Sequence, residues 1–358
     1  MRISKSSLLV VSAITLVMAT ACVNPQETPT VQSSTGQQAG QSERPVRIGF
    51  SMDTLKEERW QRDKALVEQR AKEVGAVLDV QVANGDDAVQ TKQAENMLTK
   101  GVDVLIVAPH NGEIAASIVE AAHRKGVPVI AYDRLIRNAD VDLYISHQVE
   151  RMGEMQGQYA LDRVPKGNYV LIGGSATDYN ALLLRKGQMN ILKPAIDRGD
   201  IKIISQQFAK EWRADEALRI TEDALIRTGK KIDAIVASND GTAGGAISAL
   251  DAVKLAGKVL VTGQDAQKDA VQRIANGTQT MTIYKQIQPL AFGAVDAAVK
   301  LARKQPVETK DKINNGKKDV PAILLEPMAV DKANLDDTII KDGYHSREAI
   351  YGSKAGTN

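Results

Sequence analysis

The stretch Gly126–Arg134, GVPVIAYDR, joins an aliphatic run to a sudden group of polar side chains. Aliphatic runs of this kind are typical of strands in parallel sheets that are covered on both faces. The run ends in Asp133 and Arg134, a carboxylate acceptor beside a five-donor guanidinium. Ligands of open α/β sheets bind beyond the carboxyl ends of the strands. The stretch therefore predicts a ligand-binding strand end or, as the alternative, a loop in which Asp133 and Arg134 pair with each other.

Short apolar runs and amphipathic segments of helical length alternate along most of the chain. The predicted strands are Val46–Met52, Val77–Val82, Val102–Ala108, Val127–Tyr132, Leu143–Ser146, Tyr169–Gly173, Ile201–Ser205, Ile232–Ala237, Lys258–Gly263 and Thr280–Tyr284, with VPAILLEPMAV (320–330) as a further strand pair. This alternation predicts an α/β fold with parallel sheets and helices on both faces. Neither a Gly-x-Gly-x-x-Gly fingerprint nor a Walker loop occurs, so nucleotide binding is not supported.

Two parts of the chain have similar sequences, which indicates an internal repeat. VDVLIVAPHNG at Val102–Gly112 is similar to IDAIVASNDG at Ile232–Gly241, and GVPVIAYDR has a counterpart in GKVLVTGQDA at Gly257–Ala266. Asp133 and Asp265 therefore follow corresponding predicted strands. This sequence similarity favours two similar α/β domains that hold a ligand in the cleft between their strand ends.

The first 43 residues are predicted to be processing and tethering segments rather than part of the fold. A charged start precedes Leu8–Met18, an apolar run too short to span a bilayer as a mature helix. Together with the small residues before Cys22, this run resembles a bacterial lipoprotein signal (1–22), which predicts lipidation of Cys22. Ala19 departs from the usual Leu of such signals, so simple cleavage is the alternative. Residues 23–43 have the polar composition of a flexible tether.

Composition narrows the function classes. The part of the chain that remains has roughly 310 residues, enough for about two domains. The formal net charge is +2 with both signs interspersed, so no nucleic-acid partner is expected. Cys22 is the only cysteine, so the chain forms no internal disulfide.

The only two tryptophans, Trp60 and Trp212, lie in the charged settings LKEERWQRD and FAKEWRAD. Core tryptophans normally have apolar neighbours in sequence, so both are predicted at the edge of the cleft, where their flat faces suit sugar rings. Polar residues at other strand ends offer hydrogen bonds, namely Asn239, Asp265 and Lys285. The alternative for each of these is a loop cap or a surface ion pair.

Catalytic and metal sites are not indicated. The four histidines lack metal-ligand spacing, and neither a Gly-x-Ser-x-Gly elbow nor an EF-hand calcium loop occurs. Asp133 and Asp265 resemble a glycosidase pair, but nearby Arg134 and Lys285 are expected to keep both carboxyls ionised and leave no general acid. The residues favour binding without turnover, with no cofactor and no metal.

Several motifs together carry a family resemblance. The stretches EERWQ, AENML, KGVDVLIVAPHNG, VIAYDRLI, SATDYNA, ASNDGTAGGAI, GQDA, GTQTMTIYK and NNGKKDVPAILL are spread over Val46–Gly343. This region resembles the sugar-binding proteins of bacterial ABC importers, of the ribose- and galactose-binding kind, and within them the branch that binds D-xylose. The resemblance implies a type I periplasmic binding protein fold, in which two Rossmann-like parallel-sheet domains are joined by a three-segment hinge.

The resemblance also implies the binding residues. Those that match the family's ligand positions are Arg59, Trp60, Asp133, Arg134, Asn180, Trp212, Asn239, Asp265 and Lys285. The implied ligand is an aldose, with D-xylose first and glucose or ribose as alternatives. His110, Tyr179 and Phe208 depart from the family's pattern, which leaves the choice of sugar open.

The expected domain boundaries follow from the resemblance. The amino-terminal domain is expected at 44–148 plus 285–304, the carboxyl-terminal domain at 149–284 plus 305–345, and a polar surface tail at 346–358. The chain is expected to cross between the domains near His147, near Lys285 and near Lys304–Asp311.

The resemblance implies partners and location as well. We expect an exported monomer in the periplasm or on the outer face of the cytoplasmic membrane, held there only by a lipid on Cys22. Its partners are then a monosaccharide and an ABC permease. A sensor that presents sugar to a chemoreceptor or kinase is the alternative. A LacI-type regulator is disfavoured, because an export signal replaces the DNA-reading helices.

Overall fold

The computed structural model describes residues 44–352, and two parallel sheets organise this part of the chain. The strands are β1 (Arg47–Met52), β2 (Val77–Val82), β3 (Val104–Ala108), β4 (Val129–Tyr132), β5 (Leu143–His147), β6 (Gly167–Gly173), β7 (Ile201–Phe208), β8 (Ala234–Ala237), β9 (Leu260–Val261), β10 (Met281–Tyr284), β11 (Asp311–Asn314), β12 (Asp319–Leu325) and β13 (Met328–Asp331). The first sheet has the order β2-β1-β3-β4-β5-β12-β11, in which β11 is antiparallel to β12, and the second has the order β7-β6-β8-β9 beside a two-stranded β10-β13 ladder. A bridge between Gln264 and Ile283 continues the second sheet into β10.

Helices cover both sheets. They are α1 (Glu58–Glu73), α2 (Asp87–Thr99), α3 (Ala116–His123), α4 (Val149–Arg163), α5 (Tyr179–Asp197), α6 (Ala214–Thr228), α7 (Asp240–Ala252), α8 (Lys268–Asn276), α9 (Ile287–Ala302) and α10 (Arg347–Tyr351), with a 3-10 turn at Lys210–Trp212 and a π-helical turn at Asp336–Ile340. Within 44–352, none of these helices is long and apolar enough to cross a membrane. The predicted α/β class with two parallel sheets is confirmed.

The central strands are buried on both faces. In β3, Leu105 and Val107 pack into one hydrophobic core, whereas Val104 and Ile106 pack into a second core on the opposite face. Strand β8 divides its side chains between two further cores in the same way. Double-sided burial explains why these strands are continuous aliphatic runs rather than alternating patterns.

The two parts of the chain with similar sequences also have equivalent structures. β4 and β9 hold the same place in their sheets, next to β3 and β8 respectively. Beyond these strands, the N–H of Asp133 donates to Ile145 O at 2.8 Å, and the N–H of Asp265 donates to Ile283 O at 2.8 Å. The two aspartates therefore begin equivalent turns at the carboxyl ends of the two sheets.

The assignment of residues 305–325 to the second domain is wrong. β12 pairs in parallel with β5, β11 pairs with β12, and both belong to the first sheet. The third crossing between sheets therefore lies at Leu325–Met328 rather than at Lys304–Asp311, next to the first crossing, where Gln148 N donates to Leu325 O at 3.0 Å. β12 remains in the first sheet because Val320 and Ala322 complete one of its cores. The predicted strand pair at 320–330 is thus two strands of different sheets.

The expectation of a polar surface tail is only partly correct up to Gly352. Ser346, Arg347 and Glu348 are exposed, but Ile350 is only 6% exposed and packs in a core with Tyr284 and Leu335. Ser346 caps α10 by accepting a hydrogen bond from Ala349 N. The predicted signal (1–22), Cys22, the tether (23–43) and residues 353–358 lie outside the described residues.

Candidate functional site

The carboxyl ends of both sheets border one small cavity. All nine residues implied by the family resemblance line it, so the structure brings together side chains from seven separate stretches of sequence. The lining residues are Glu57, Arg59, Trp60, Asp133, Arg134, Asp178, Asn180, Trp212, Asn239, Gln264, Asp265 and Lys285. Glu57, Asp178 and Gln264 were not predicted.

Trp60 lies at the start of α1 and is only 3% exposed. It packs in the core that also contains Phe50 and Tyr132. Two guanidinium groups flank its ring, Arg59 at 4.1 Å and Arg134 at 5.1 Å from a ring centroid. Trp60 lines the cavity, as the sequence predicted, and it contributes to the core as well, which its charged sequence setting did not indicate.

Trp212 enters the cavity from the 3-10 turn after β7. It is 9% exposed, and its φ of 57° is in the left-handed region, a strain of about 1–3 kcal/mol that the surrounding packing must offset. The indole lies directly against Gly174, where a Cβ atom would come within 2.1 Å of the ring. The indole N–H donates to Asp178 Oδ2 at 3.2 Å. Trp212 also packs in a small core with Leu184 and Met281, so it too has a structural role.

Asp133 is held by charge. Its Oδ2 accepts from Arg59 Nη1 at 2.6 Å and lies 3.7 Å from Lys285 Nζ, while Asn180 Nδ2 is 3.3 Å from its Oδ1. Burial alone would raise the pKa of Asp133, but the charges of Arg59 and Lys285 outweigh burial and hold that pKa well below its usual range. The carboxyl is therefore ionised and accepts hydrogen bonds only.

The backbone at Asp133 is fixed as well. Its φ is 60°, and Arg134 N donates to Tyr132 O at 2.6 Å across this tight turn. The carbonyl oxygen of Asp133 accepts from Tyr144 Oη, Ser146 Oγ and Asn180 Nδ2 at 2.7–3.0 Å. These hydrogen bonds stabilise the strained backbone conformation of Asp133, which directs its side chain towards Arg59 and Lys285.

Arg134 has partners of its own. Its guanidinium lies 2.6 Å from Asp53 Oδ2 and 2.9 Å from Asp178 Oδ2, and it also donates to Pro109 O. Asp133 pairs with Arg59 and Lys285 instead, so the alternative of a mutual Asp133–Arg134 pair is contradicted. The tight turn at Asp133 explains this result, since it directs adjacent side chains to different neighbours.

Asp53 connects Arg134 to His110. His110 Nδ1 lies 3.0 Å from Asp53 Oδ1. Burial would raise the pKa of Asp53, but His110 and Arg134 together lower it to about 2. The same contact raises the pKa of His110 against the effect of burial. Arg134 is therefore oriented by carboxylates on both sides, which keeps its remaining donors in place at the cavity wall.

The second sheet supplies Lys285, Asp265 and Asn239. Lys285 Nζ lies 2.9 Å from Asp265 Oδ1 and bridges to Asp133 of the first sheet. Asn239 caps α7, with its Oδ1 accepting from Thr242 N at 2.9 Å, as the loop-cap alternative proposed. A ligand can therefore use only the Nδ2 group of Asn239 as a donor.

Three residues of the cavity wall each have one buried oxygen atom without a hydrogen-bond partner among residues 44–352. These atoms are Glu57 Oε2, Asn180 Oδ1 and Gln264 Oε1. All three are acceptors, and buried acceptors are normally satisfied by a donor. Next to them, Arg59, Arg134 and Lys285 offer charged donors. The cavity thus suits a compact ligand with several hydroxyl groups, which both donate and accept.

The missed residues had weak signals in the sequence. Asp178 caps α5 by accepting from Asn180 N, and the motif SATDYNA is compatible with such a cap without indicating a cavity. Gln264 directly precedes Asp265, but a glutamine at a strand end has no distinctive chemistry. In the described part of the chain, no group of three or more His, Cys, Asp or Glu side chains is arranged to hold a metal ion.

Residues 48–306 match a family model described as a periplasmic binding protein domain. The chain belongs to the periplasmic binding protein family. It is 50% identical over 306 residues to the D-xylose-binding periplasmic protein of Haemophilus influenzae, which covers 86% of this chain and 92% of that protein. It is 48% identical over 305 residues to the D-xylose-binding periplasmic protein of Escherichia coli, at 85% and 92% coverage.

Solved structures of this family have the same architecture. A carbohydrate transporter solute binding protein from Chloroflexus aurantiacus, in complex with D-glucose, has 33% identity and a TM-score of 0.82 over 86% of this chain and 98% of that one. A solute binding protein from Clostridium phytofermentans with bound β-D-glucose has 30% identity and a TM-score of 0.79, at 85% and 99% coverage. The predicted type I periplasmic binding protein fold is confirmed.

Proposed function

We propose that this protein is an extracytoplasmic receptor that binds an aldose, D-xylose in first place, and delivers it to an ABC permease. The observation that carries the proposal is the composition of one cavity between two sheets. It combines two indole rings, three charged donors and three free acceptor oxygens. Two relatives with 50% and 48% sequence identity to this chain are named D-xylose-binding periplasmic proteins, which supports D-xylose as the ligand.

The nine predicted residues would divide the recognition between them. Trp60 and Trp212 would pack against the apolar faces of the sugar ring. The carboxylates and cationic groups would bind its hydroxyls, each such hydrogen bond contributing about 1.5–3 kcal/mol. Lys285 contacts carboxylates of both sheets, so it would also connect the two halves of the site.

Binding would occur without turnover. Arg59 and Lys285 hold Asp133 ionised, so it cannot act as the general acid of a glycosidase. The ligand would favour the closed arrangement, because residues of both sheets can reach it together only when the cleft is closed. The permease would then recognise the closed form, and a lipid on Cys22 would keep the receptor near the membrane as a monomer.

Glucose is the second candidate, since two similar solved structures contain it. Calorimetry and thermal shift on the whole protein with D-xylose, D-glucose and D-ribose would decide between the sugars. We expect 1:1 binding of D-xylose, a raised melting temperature and unchanged sugar after incubation. Tighter binding of D-glucose would favour the second candidate, and no response to any aldose would refute the receptor. The mass of the mature amino terminus would test lipidation.

A further inference from the structure

Glu57 occupies an unusual place just before α1. It lines the main cavity and also the two openings next to it, one bordered by Arg213 and Lys268 and the other by Asn84 and His110. It is the N-cap residue of α1, yet its side chain makes no capping hydrogen bond to the helix. The side chain is nevertheless only 10% exposed. It is therefore buried for a reason other than helix capping.

The two carboxylate oxygens of Glu57 differ in their contacts. Oε1 lies 3.0 Å from Lys56 Nζ, at the solvent-exposed side. Oε2 is buried and has no hydrogen-bond partner within residues 44–352. Glu57 and Arg134 line the same cavity, where burial lowers the pKa of Arg134 and the carboxylates of Asp178, Asp53 and Glu57 raise it. A buried charged oxygen without a donor is destabilising unless a ligand supplies one.

We propose that Glu57 Oε2 accepts a hydrogen bond from one hydroxyl of the bound sugar and makes the site select for sugars that carry this hydroxyl. The proposal rests on the sugar-binding function proposed above and adds a residue that the family resemblance did not imply. A deoxy sugar that lacks the hydroxyl leaves Glu57 Oε2 without a donor. Sites built to bind a hydroxyl reject analogues without it for this reason.

The test is a matrix of proteins and ligands. The proteins are the wild type, Glu57→Leu, Glu57→Gln and the control Glu68→Gln, which lies on α1 and changes an exposed pair with Lys64. The ligands are D-xylose and its single-deoxy derivatives, or those of D-glucose if that sugar binds the wild type more tightly. Calorimetry gives Kd for each combination, and thermal unfolding gives the stability of each protein without sugar.

We expect Glu57→Leu to weaken binding of the parent sugar about tenfold to a hundredfold. Glu57→Gln keeps an acceptor oxygen and should lose less, and Glu68→Gln should lose nothing. One deoxy sugar should bind the wild type and Glu57→Leu equally weakly, since its missing hydroxyl is the partner of Glu57. The unliganded Glu57→Leu protein should melt no lower than the wild type, because the change removes a buried oxygen without a donor and loses only the pair with the exposed Lys56.

Two results would overturn the proposal. In one, Glu57→Leu and Glu57→Gln bind the parent sugar within twofold of the wild type. In the other, Glu57→Leu weakens every deoxy sugar by the same factor as the parent, which would mean that Glu57 acts on the site only indirectly. Both results require a wild type that binds sugar, so they are distinct from failure of the receptor function itself.

Discussion

Asp133 and Asp265 begin equivalent turns in the two halves of the repeat, yet their side chains are held differently. Three side chains contact the carboxylate of Asp133, namely Arg59, Lys285 and Asn180. The carboxylate of Asp265 has Lys285 at 2.9 Å and Gln264 at 3.4 Å. The two turns have equivalent backbone positions in the repeat, but the groups around the carboxylates of Asp133 and Asp265 differ.

The second half fixes Asp265 through the main chain instead. Strands β8 and β9 pair at only two positions, so the ladder ends before the site. Beyond it, Gln156 Nε2 from α4 donates to Ser238 O at 3.3 Å and to Gly263 O at 3.0 Å. Gln156 thereby connects the residues that directly precede Asn239 and Gln264. The first half of the site is organised mainly by ion pairs, whereas in the second half a neutral amide acts beside the single Lys285–Asp265 pair.

The largest expected difference concerns stability without ligand. Asp133→Ala removes the closest carboxylate of Arg59 and leaves buried positive charge less compensated, so we expect a loss of about 3–5 kcal/mol in the free energy of unfolding. Asp265→Ala leaves Lys285 paired with Asp133, and we expect a loss of only about 1–2 kcal/mol. Urea unfolding of the two variants measures both values. Equal losses would show that the two positions do the same structural work.

Lys285 is the group that the two halves share, so its removal should mainly affect ligand binding. In Lys285→Met, the carboxylates of Asp133 and Asp265 face the cavity without their common cation. We expect Kd for the sugar to rise about a hundredfold. Lys318→Met is the matched control, because Lys318 forms an exposed pair with Asp140. An unchanged Kd in Lys285→Met would show that the group shared by both halves does not contribute to sugar binding. The binding energy would then come from one half of the site.

Acid titration tests the ion-paired half. The folded-state pKa is about 2 for Asp53 and is depressed for Asp133. Both lie below the unfolded value of about 3.9, so the stabilisation is complete above that pH and is lost as the pH falls through the folded pKa. Between about pH 5 and pH 2, protonation of Asp53 should cost the wild type about 2 kcal/mol in the free energy of unfolding. The Asp53→Asn variant should not show this part of the loss. A wild-type slope in both Asp53→Asn and Asp133→Asn would contradict this account.

The sequence predicted what depends on local patterns and on resemblance. The aliphatic runs fixed the strands, and the motif matches gathered nine residues that do line one cavity. The pairing of β12 with β5 escaped prediction, because it joins segments separated by more than 170 residues of chain. The partners of Asp133 and Arg134 escaped it too, since a turn geometry decides them. Glu57 was missed because the tertiary fold, and not its neighbours in sequence, buries its side chain.

The smallest expected effect belongs to Gln156, which tests the half organised by a neutral amide. Gln156→Ala removes both bonds to the carbonyl groups and also a bond from Gln188 Nε2 at 2.9 Å. We expect about 1–2 kcal/mol of lost stability and a Kd raised about tenfold, because the turns that carry Asn239 and Asp265 then remain joined only by bonds such as Asp240 N to Gln264 O and are held less firmly. Gln158→Ala is the control on the same helix, since Gln158 is exposed and bonds only to Asp162. If Gln156→Ala loses stability but keeps its Kd, the amide stabilises the second half without aligning the site, and Asp265 is positioned by Lys285 and by its main-chain bond to Ile283.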